Sequence, residues 1–525
     1  MNQFIKKHEP MIVGQLSGFD RVRLRGTIRM LAAVPGIIAW MRDCTGSGLL
    51  TGFKSFALHV TERLRASVEQ VAAGARRSIK YLASSVLSKE DLVQELLARE
   101  AIAEGLVCVL SCVEPCRSFD IHRDRQKKQI ELVPAYRKCL HWYLYFIDPR
   151  LGLCHVRIQS WLPFTVHVCV NGREWLCRGL DAAGIGFRRR DNCLVDVADF
   201  TAAQNLLDAQ PGANWTKILN DLLHRACPAL AELSYNGRPL QHYWSADETE
   251  WATDILFRSS GHLAELYPSL IRHAMTTFSS SDVLRFLGRS RSPLTTGVRA
   301  NFQGEVVSDV KTRPEGVRIK HRTNANSIKM YDKQGSVLRI ETTINDAHDM
   351  KVFRASESDP SGPKSWCRLR KGVVDLPRRT QISQGANTRY LAALAAVDAQ
   401  TPLGKVADAV SSAVTQDGRR ARGLNPLTGE DARVAAILLR GEFSISGFRN
   451  GDLRQLLYPG TPTAADRRRL SAKVTRQLRL FRAHGLIRKI PGTHRYHLTS
   501  AGHRILPAFI VARSANTEKL NELAA

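Results

Sequence analysis

Length, composition and charge narrow what this chain can be. Its 525 residues, of which 44% are hydrophobic and 24% charged, have a globular composition and are too many for one ordinary domain. The 76 Lys and Arg outnumber the 49 Asp and Glu, so the net charge is +27. An excess of this size attracts polyanions, which makes nucleic acid the leading partner, with anionic membrane surfaces and ribosomal RNA as alternatives.

Localisation and cysteine usage point to a reducing compartment. No apolar run reaches the roughly eighteen residues that a membrane-spanning helix requires, and the start MNQFIKKHEPM lacks the apolar region of a signal peptide. We therefore predict a cytoplasmic protein without a membrane partner. The eleven cysteines are scattered, as reduced and mostly buried thiols are. Cys108, Cys112 and Cys116 have a spacing that zinc sites do not favour, so we predict a strand there.

The first predicted strand lies within Met11–Met30, where Arg21, Arg23 and Arg25 share one face. These arginines suit a groove that follows a nucleic-acid backbone, although a solvated strand face would have the same pattern. Asp20 lies on the otherwise apolar face, where a carboxylate is costly unless it is paired or binds a metal. It is therefore a candidate metal ligand and partner of the hairpin described below. The alternative is a turn residue that starts the strand.

Helices and then a strand-rich core are predicted next. Apolar residues spaced by three and four predict helices between 55 and 104. A strand follows at 105–113, and HWYLYFIDPRLGLCHVRIQSW predicts a hairpin that turns at 148–152. A further strand, PFTVHVCVNG, ends in an Asn-Gly turn.

A helical insertion is predicted from about 173 to 285. Its last helix, SADETEWATDILF, starts with a capping box formed by Ser245 and Glu248. The polar and basic stretch that follows has no sustained apolar period, so we expect a loop or a peripheral sheet there. Lys320 and Arg322 in this stretch are candidate nucleic-acid contacts.

A central hairpin is predicted from Ser327 to Ile344, where two alternating segments flank a DKQG turn. One face of this hairpin is apolar and should lie on a core. The other face carries Lys329, Tyr331, Arg339 and Glu341, and cross-strand neighbours lie about 5 Å apart. This set of groups suits the binding of a phosphate.

Two interpretations of the polar face remain open. In the first, Arg339 and Glu341 form a solvated ion pair on an exposed sheet, with Tyr331 half-buried beside them. In the second, Glu341 is a metal-binding or acid–base carboxylate and Tyr331 is a nucleophile or stacking group, while Lys329, Lys333 and Arg339 contact phosphate.

The C-terminal part, 426–515, is predicted to be a winged-helix domain, after an α+β core domain at 1–355 and a helical linker region at 356–425. Three helices followed by strand, turn and strand is the order of elements in such a domain. Ten Lys or Arg against one Asp between 466 and 497 suit phosphate contacts. The candidate contacts are Arg467, Arg468, Arg469, Lys473, Arg476, Arg479, Arg488, Lys489 and Arg495. Winged helices also bind proteins or serve purely structural roles.

Two resemblances add to these predictions. GFDRVRLRGTIR, HWYLYFIDPRLGLCHVRIQSWLPF and SIKMYDKQGSVLRIETTIND together resemble a widespread family of uncharacterised bacterial proteins, which ends in the same basic winged helix and has no established activity. Locally, YDK at 331–333 with LRIE at 338–341 resembles the segment near the catalytic sheet of rolling-circle replication initiators and relaxases of plasmids and filamentous phages. Those proteins nick one DNA strand through a tyrosine with a bound divalent cation. The His-x-His pair with which many of them hold the cation is absent here.

The second resemblance implies metal-dependent nicking or cleavage of a phosphodiester, with Tyr331 as the attacking group. The groups that would stabilise the phosphate are Lys329, Lys333 and Arg339. The ligands of the implied Mg²⁺ or Mn²⁺ would be Glu341 with Asp20 or Asp332.

The sequence thus predicts an α+β protein with a mixed, largely antiparallel sheet domain, flanking helices and a C-terminal winged helix. The leading hypothesis is a nucleic-acid-binding protein of mobile-element type that nicks or cleaves its target, with DNA favoured over RNA. The first alternative is a non-catalytic DNA- or RNA-binding protein, such as a repressor or a ribonucleoprotein subunit. A basic ribosome-associated protein is the second.

Overall fold

A long sheet with helices on both faces organises the larger part of this chain. The computed structural model describes residues 2–84, 86–124, 126, 129–278, 280–288, 306–313, 316–355, 359, 361–363, 365–395, 403–416, 418–440, 443, 447–460 and 463–517. The chain divides into a larger unit, Met11–Leu263 with Met330–Gln384, and a smaller unit, Met1–Pro10 with Ala264–Lys329 and Gly385–Ala525. The domain limits expected from the sequence stay predictions.

The secondary structure elements alternate between long strands and mostly short helices. The helices are α1 (Gln3–Lys7), α2 (Val34–Thr45), α3 (Phe53–Gly74), α4 (Lys89–Arg99), α5 (Gly172–Ala182), α6 (Phe200–Ala209), α7 (Trp215–Ala226), α8 (Pro228–Ala231), α9 (Ser260–Thr276), α10 (Ser280–Phe286), α11 (Leu376–Leu394), α12 (Leu403–Ser411), α13 (Gly429–Leu438), α14 (Asn450–Leu457), α15 (Ala464–Ala483) and α16 (Ser500–Arg513). The strands are β1 (Ile12–Ile28), β2 (Ile79–Leu82), β3 (Gly105–Asp124), β4 (Gln129–Asp148), β5 (Gly152–Gln159), β6 (Val166–Asn171), β7 (Phe187–Arg190), β8 (Cys193–Val197), β9 (Ser234–Tyr235), β10 (Arg238–Pro239), β11 (His242–Phe257), β12 (Val306–Arg313), β13 (Gly316–Thr323), β14 (Asn326–Lys333), β15 (Val337–Ile344), β16 (Lys351–Arg354), β17 (Ser365–Arg368), β18 (Val414–Gln416), β19 (Arg419–Ala421), β20 (Ile487–Lys489) and β21 (Tyr496–Leu498).

The sheet of the larger unit has the strand order β15-β11-β1-β6-β5-β4-β3-β2, with the Met330–Lys333 end of β14 beside β15. The strands from β15 to β3 pair antiparallel, and β2 pairs parallel with β3. The expectation of a large mixed, mostly antiparallel sheet with flanking helices is therefore confirmed. No helix within the described ranges is both long and apolar enough to cross a membrane.

Each face of this sheet is covered in a different way. On one face, alternate apolar residues of the strands, such as Val22, Leu144 and Val156, pack in a single core with α2, α3 and α7. On the other face, α5 and α6 cover Leu16 at one end, and α4 covers Tyr143 on β4. Polar side chains of β1, β5, β6 and β11 occupy this second face between the two helical covers.

One predicted helix is wrong. The segment SADETEWATDILF belongs to β11, which lies between β1 and β15, so the capping box of Ser245 and Glu248 does not exist. A strand covered on both faces loses the alternation that identifies a strand in sequence. Its acidic residues are paired instead: Glu248 lies 3.1 Å from Arg21 and 3.5 Å from Arg23. The expected Asn-Gly turn is also wrong, because Asn171 caps α5.

Most other predicted elements are present. The central hairpin is formed by β14 and β15, and Gln334 and Gly335 have the positive φ values of 62° and 79° that tight hairpin turns require. The hairpin of β4 and β5 and the strand at Cys108 are also confirmed. Parts of the predicted basic stretch before the hairpin and of the surface loop after it lie outside the described residues.

The smaller unit contains the predicted C-terminal helices. Helices α13, α14 and α15, the β20–β21 pair and α16, which was not predicted, share one core that includes Val434, Leu453, Val474, Phe481 and Phe509. In the same unit β12 and β13 pair antiparallel. The element order expected from the sequence is confirmed.

A buried histidine on β13 connects three segments of the smaller unit by hydrogen bonds. His321 is fully buried, with Nδ1 2.7 Å from the Ser308 hydroxyl and Nε2 3.1 Å from the Tyr390 hydroxyl. Burial lowers its pKa to about 4, well below the usual value for histidine.

This histidine predicts a pH dependence of stability. Because the folded-state pKa is depressed, the unfolded chain binds a proton between about pH 6.5 and pH 4 that the folded chain does not. Stability should therefore fall as pH drops through this window, by about 1.4 kcal/mol per pH unit for this group. We expect His321→Gln to flatten the plot of melting temperature against pH, whereas the exposed His494→Gln should not. Parallel plots for all three proteins would contradict this assignment.

Candidate functional site

The polar residues of the central hairpin lie on the sheet face that α5 covers. Arg339 is paired across the strands with Asp254, and Glu341 is paired with Ala252. From α5, the fully buried Arg173 reaches the same carboxylate, with Nη2 2.8 Å from Asp254 Oδ2. Asp20, on β1, belongs to the same group of side chains. The sequence-predicted residues Asp20, Tyr331, Arg339 and Glu341 are thus neighbours in the larger unit.

Arg339 is the centre of a group of interacting side chains, called here the charge cluster. Its members are Asp20, Arg173, Asn192, Asp254, Tyr331, Arg339 and Glu341. The Nε and Nη2 of Arg339 donate to the two oxygens of Asp254 at 2.6 and 2.9 Å, and its Nη1 donates to Asp20 at 2.7 Å. Nη2 also donates to the backbone carbonyl of Asn192 at 3.0 Å. The side chain is 1% exposed. The expectation of a solvated ion pair is therefore wrong, and the guanidinium is bound to protein groups that a phosphate would have to displace.

Tyr331 and Glu341 form the second contact of the cluster. The tyrosine hydroxyl donates to Glu341 Oε2 at 2.7 Å, and the carboxylate is 2% exposed. Burial raises the pKa of Tyr331 well above its usual value, and the negative charge of Glu341 adds to this effect. A nucleophilic tyrosine needs a base at this distance. Burial, however, favours a neutral phenol that donates a hydrogen bond.

The carboxylates of the cluster respond differently to burial. Burial raises the pKa of Asp20; Arg339 opposes this effect, and nearby Glu341 adds to it. Burial also acts on Asp254, but Arg173 and Arg339 outweigh it and lower its pKa. Asp254 therefore stays charged more readily than Asp20. Asp20 is further held by the side-chain amide of Asn192 at 2.9 Å.

The predicted cation ligands do not form one donor set. Asp332 follows Tyr331 on β14, so it points to the opposite face of the strand from Tyr331 and Glu341. Asp20 accepts hydrogen bonds from Arg339 and Asn192. Among the described residues, no group of three or more His, Cys, Asp or Glu is arranged to hold a metal ion. The divalent cation therefore stays a prediction.

The lysine and arginine side chains predicted to contact nucleic acid around the hairpin lie in different environments. In the larger unit, Lys333 forms an ion pair with Asp191 at 2.7 Å. In the smaller unit, burial lowers the pKa of Lys320, and Lys329, Arg318 and Arg322 lower it further. Because neighbouring positive charges lower the pKa of Lys320, these basic side chains must lie close to it and form a basic cluster with it. Their role in nucleic-acid binding stays a prediction.

The arginines of β1 are paired with acidic residues. Arg21 contacts Glu250 as well as Glu248, and Arg25 lies 2.6 Å from Asp247. The carboxylates of β11 thus offset much of the positive charge of this strand face. Arg21, Arg23 and Arg25 are still 38%, 54% and 47% exposed, so a contact with nucleic acid remains sterically open.

The basic helix α15 presents the clearest charged surface. Val474, Leu478 and Phe481 lie in the core of the smaller unit. The opposite side carries exposed arginines, and at 3.6 residues per turn these share one face: Arg468, Arg476, Arg479 and Arg482. Within the described part of the chain, none of these four has an ion-pair partner.

The remaining predicted contacts are placed around this face. Arg467 and Arg469 are exposed, and Arg469 pairs with Asp466 at 3.1 Å. Lys473 pairs with Glu430 at 2.9 Å. On β20, Arg488 and Lys489 are exposed. Arg495, which directly precedes β21, is half-buried.

Sequence reasoning missed Arg173, Asn192 and Asp254 as members of the charge cluster. Asp254 had a visible signal, since it is a lone carboxylate within the apolar run ATDILF. Arg173 had none, because it follows an ordinary helix cap. No protein-family model, curated protein or solved structure matches this chain. Both resemblances therefore stay predictions, and the function has to be argued from the geometry.

The charge cluster predicts a large stability effect. Arg339→Leu would leave Asp254 and Asp20 buried without their shared cation, which costs about 3–5 kcal/mol. We expect a clear loss of melting temperature, measured by circular dichroism. Arg339→Lys should also destabilise, because an ammonium cannot reproduce the bidentate contact. The exposed Arg99→Gln is the control; equal melting temperatures for the Leu and control variants would contradict the assignment.

Proposed function

We propose that this protein binds nucleic acid, with DNA favoured over RNA, through a winged-helix domain in its C-terminal region. The observation that carries this proposal is the face of α15, on which Arg468, Arg476, Arg479 and Arg482 are exposed opposite a buried apolar face. A long, exposed basic helix anchored on a small core is suited to insertion into the major groove.

The chain order around α15 supports the winged-helix assignment. Helices α13, α14 and α15 precede the β20–β21 pair. Phe448, between α13 and α14, forms an antiparallel bridge with Tyr496, with N–H···O distances of 3.0 and 2.8 Å in the two directions. This isolated bridge lies beside the hairpin at the position where a winged helix has its third short strand. Arg488 and Lys489 would then contact the phosphate backbone beside α15.

Strand cleavage at the charge cluster is a second candidate. It is favoured by the 2.7 Å contact between Tyr331 and Glu341 and by the adjacent Arg339–Asp20 pair. The burial of Arg339 and Glu341 argues against it, because a phosphodiester must reach the reacting groups. We therefore favour the non-catalytic alternative, a repressor or a subunit of a nucleoprotein complex.

The binding proposal predicts the effect of removing two exposed charges. Arg476→Gln/Arg479→Gln should weaken binding to a duplex oligonucleotide in fluorescence anisotropy. The slope of log K against log salt concentration should decrease in magnitude by about 2, since each lost phosphate contact lowers it by about 1. The matched control is Arg99→Gln/Arg150→Gln, two exposed arginines of the larger unit.

Two outcomes would contradict the proposal. Binding of the α15 variant with wild-type affinity and salt slope would show that α15 does not contact the duplex. An equal loss in the control variant would show that only net charge matters. Parallel titrations with single-stranded DNA and RNA separate the classes, since a ribosome-associated protein would bind RNA and ignore DNA.

The cleavage candidate predicts a separate result. Labelled single-stranded and duplex DNA, incubated with the protein and Mg²⁺ or Mn²⁺, should be cleaved, and a chelator or Tyr331→Phe should abolish cleavage. If the cluster is purely structural, the wild-type protein leaves every substrate intact while still binding it. If the wild-type protein does cleave, Glu341→Gln is the check, because loss of cleavage with intact binding would assign Glu341 a chemical role.

A further inference from the structure

The long strands β3 and β4 extend beyond their neighbours in the larger unit. Each has 20 residues, yet β2 pairs with β3 only from Val109 to Cys112, and β5 pairs with β4 only from His141 to Asp148. Beyond these limits the two strands pair with each other as a ribbon. One face of this ribbon continues the sheet face that α2, α3 and α7 cover farther along.

Exposed aromatic, apolar and basic side chains occupy that face of the ribbon. On β3 and β4, Arg117 lies opposite Tyr136, and Pro115 lies opposite Lys138; all four are exposed, and Tyr136 is 75% exposed. Val113 lies two positions before Pro115 on the same face and is 41% exposed.

A second exposed ring lies on the same face. Tyr81 on β2 pairs with Ser111, two positions before Val113, and is 59% exposed. Between the levels of Ser111 and Arg117 the strands advance six residues, which is about 20 Å. The two tyrosine rings are therefore far enough apart to engage different nucleotides of one strand.

The chemistry of this face selects one kind of ligand. Open aromatic rings beside cations match single-stranded nucleic acid, whose bases stack on rings while its phosphates meet positive charge. Duplex bases are already stacked on one another and cannot use such rings. The Arg117 Nε donates to the Tyr136 hydroxyl at 3.3 Å, which places the guanidinium beside the ring. The two carboxylates of β3 that flank Arg117, Glu114 and Asp120, alternate to the opposite face of the ribbon. They are paired there with Arg157 at 2.7 Å and with Arg137 at 3.1 Å.

We propose that this face, called here the tyrosine face, binds single-stranded nucleic acid. It consists of Tyr81, Val113, Pro115, Arg117, Tyr136 and Lys138. Bases stack on Tyr81 and Tyr136, and phosphates contact Arg117 and Lys138. The site lies wholly in the larger unit and does not depend on the duplex site proposed for α15.

The test uses the full chain and a labelled oligothymidine of about 20 nucleotides in fluorescence anisotropy, with a duplex of similar length in parallel. Tyr81→Ala/Tyr136→Ala should weaken binding to oligothymidine by about tenfold or more. Tyr81→Phe/Tyr136→Phe should stay within about twofold of wild type, because the rings that stack are kept. Arg117→Gln/Lys138→Gln should lower the salt slope by about 1.4, at about 0.7 for each lost contact with a single strand. Duplex binding should remain unchanged in all three.

The alternatives are distinguishable. Wild-type affinity of the Ala variant, or an equal loss in the Phe variant, would overturn the proposal. If only the Gln variant binds more weakly, the face is an electrostatic contact without stacking, and the proposal fails. Should the double Ala variant melt at a lower temperature than wild type, Tyr136→Ala alone, which removes the ring that is 75% exposed, decides the question. It should weaken oligothymidine binding by about fivefold or more, and wild-type affinity would overturn the proposal. Arg476→Gln/Arg479→Gln, which tests the α15 site, should reduce duplex binding and leave the stacking contribution intact.

Discussion

The larger unit depends on the bidentate contact between Arg339 and Asp254. Burying these two charges is expensive, and the cost is offset because every guanidinium nitrogen of Arg339 and both carboxylate oxygens of Asp254 have a partner. Asp254 receives Arg339 and Arg173, while Arg339 also holds Asp20. These contacts connect β1, β11, β15 and α5, and they require the register in which Arg339 lies opposite Asp254. A shift by one residue would place these charges in the apolar core.

Arginine serves two purposes in this chain, and burial distinguishes them. In the cluster, Arg339 is enclosed by carboxylates and a backbone carbonyl, so its charge is compensated within the fold. On α15, Arg476 and Arg479 are exposed and repel one another unless an anion binds. Excess positive charge can attract an anionic partner only where it is exposed, and within the described part of the chain α15 carries a dense group of exposed arginines.

Local patterns predicted much of the fold because they depend on near neighbours. The β14–β15 and β4–β5 hairpins and the C-terminal helices follow from alternation, turn residues and helical spacing. Alternation also separated Arg339 and Glu341 from the apolar residues, and it marked Asp20 as a partner of the hairpin; Asp20 does contact Arg339.

Long-range features could not be predicted in this way. Alternation shows which residues share a face, but it does not show whether another element covers that face. Helix α5 covers the sheet face that carries Arg339, and its residue Arg173 is more than 150 residues from Arg339 in sequence. For the same reason β11 resembled a helix, since burial on both faces removes its alternation.

Arginine footprinting tests the central claim most directly. The full chain would be treated with an arginine-specific dicarbonyl reagent, with and without saturating duplex DNA, and modified sites would be identified by mass spectrometry. We expect Arg468, Arg476 and Arg479 to react in the free protein and to be protected by DNA, while buried Arg339 stays unmodified in both states. Full reactivity of the α15 arginines in the complex would contradict the account. So would modification of Arg339 in the free protein that DNA suppresses.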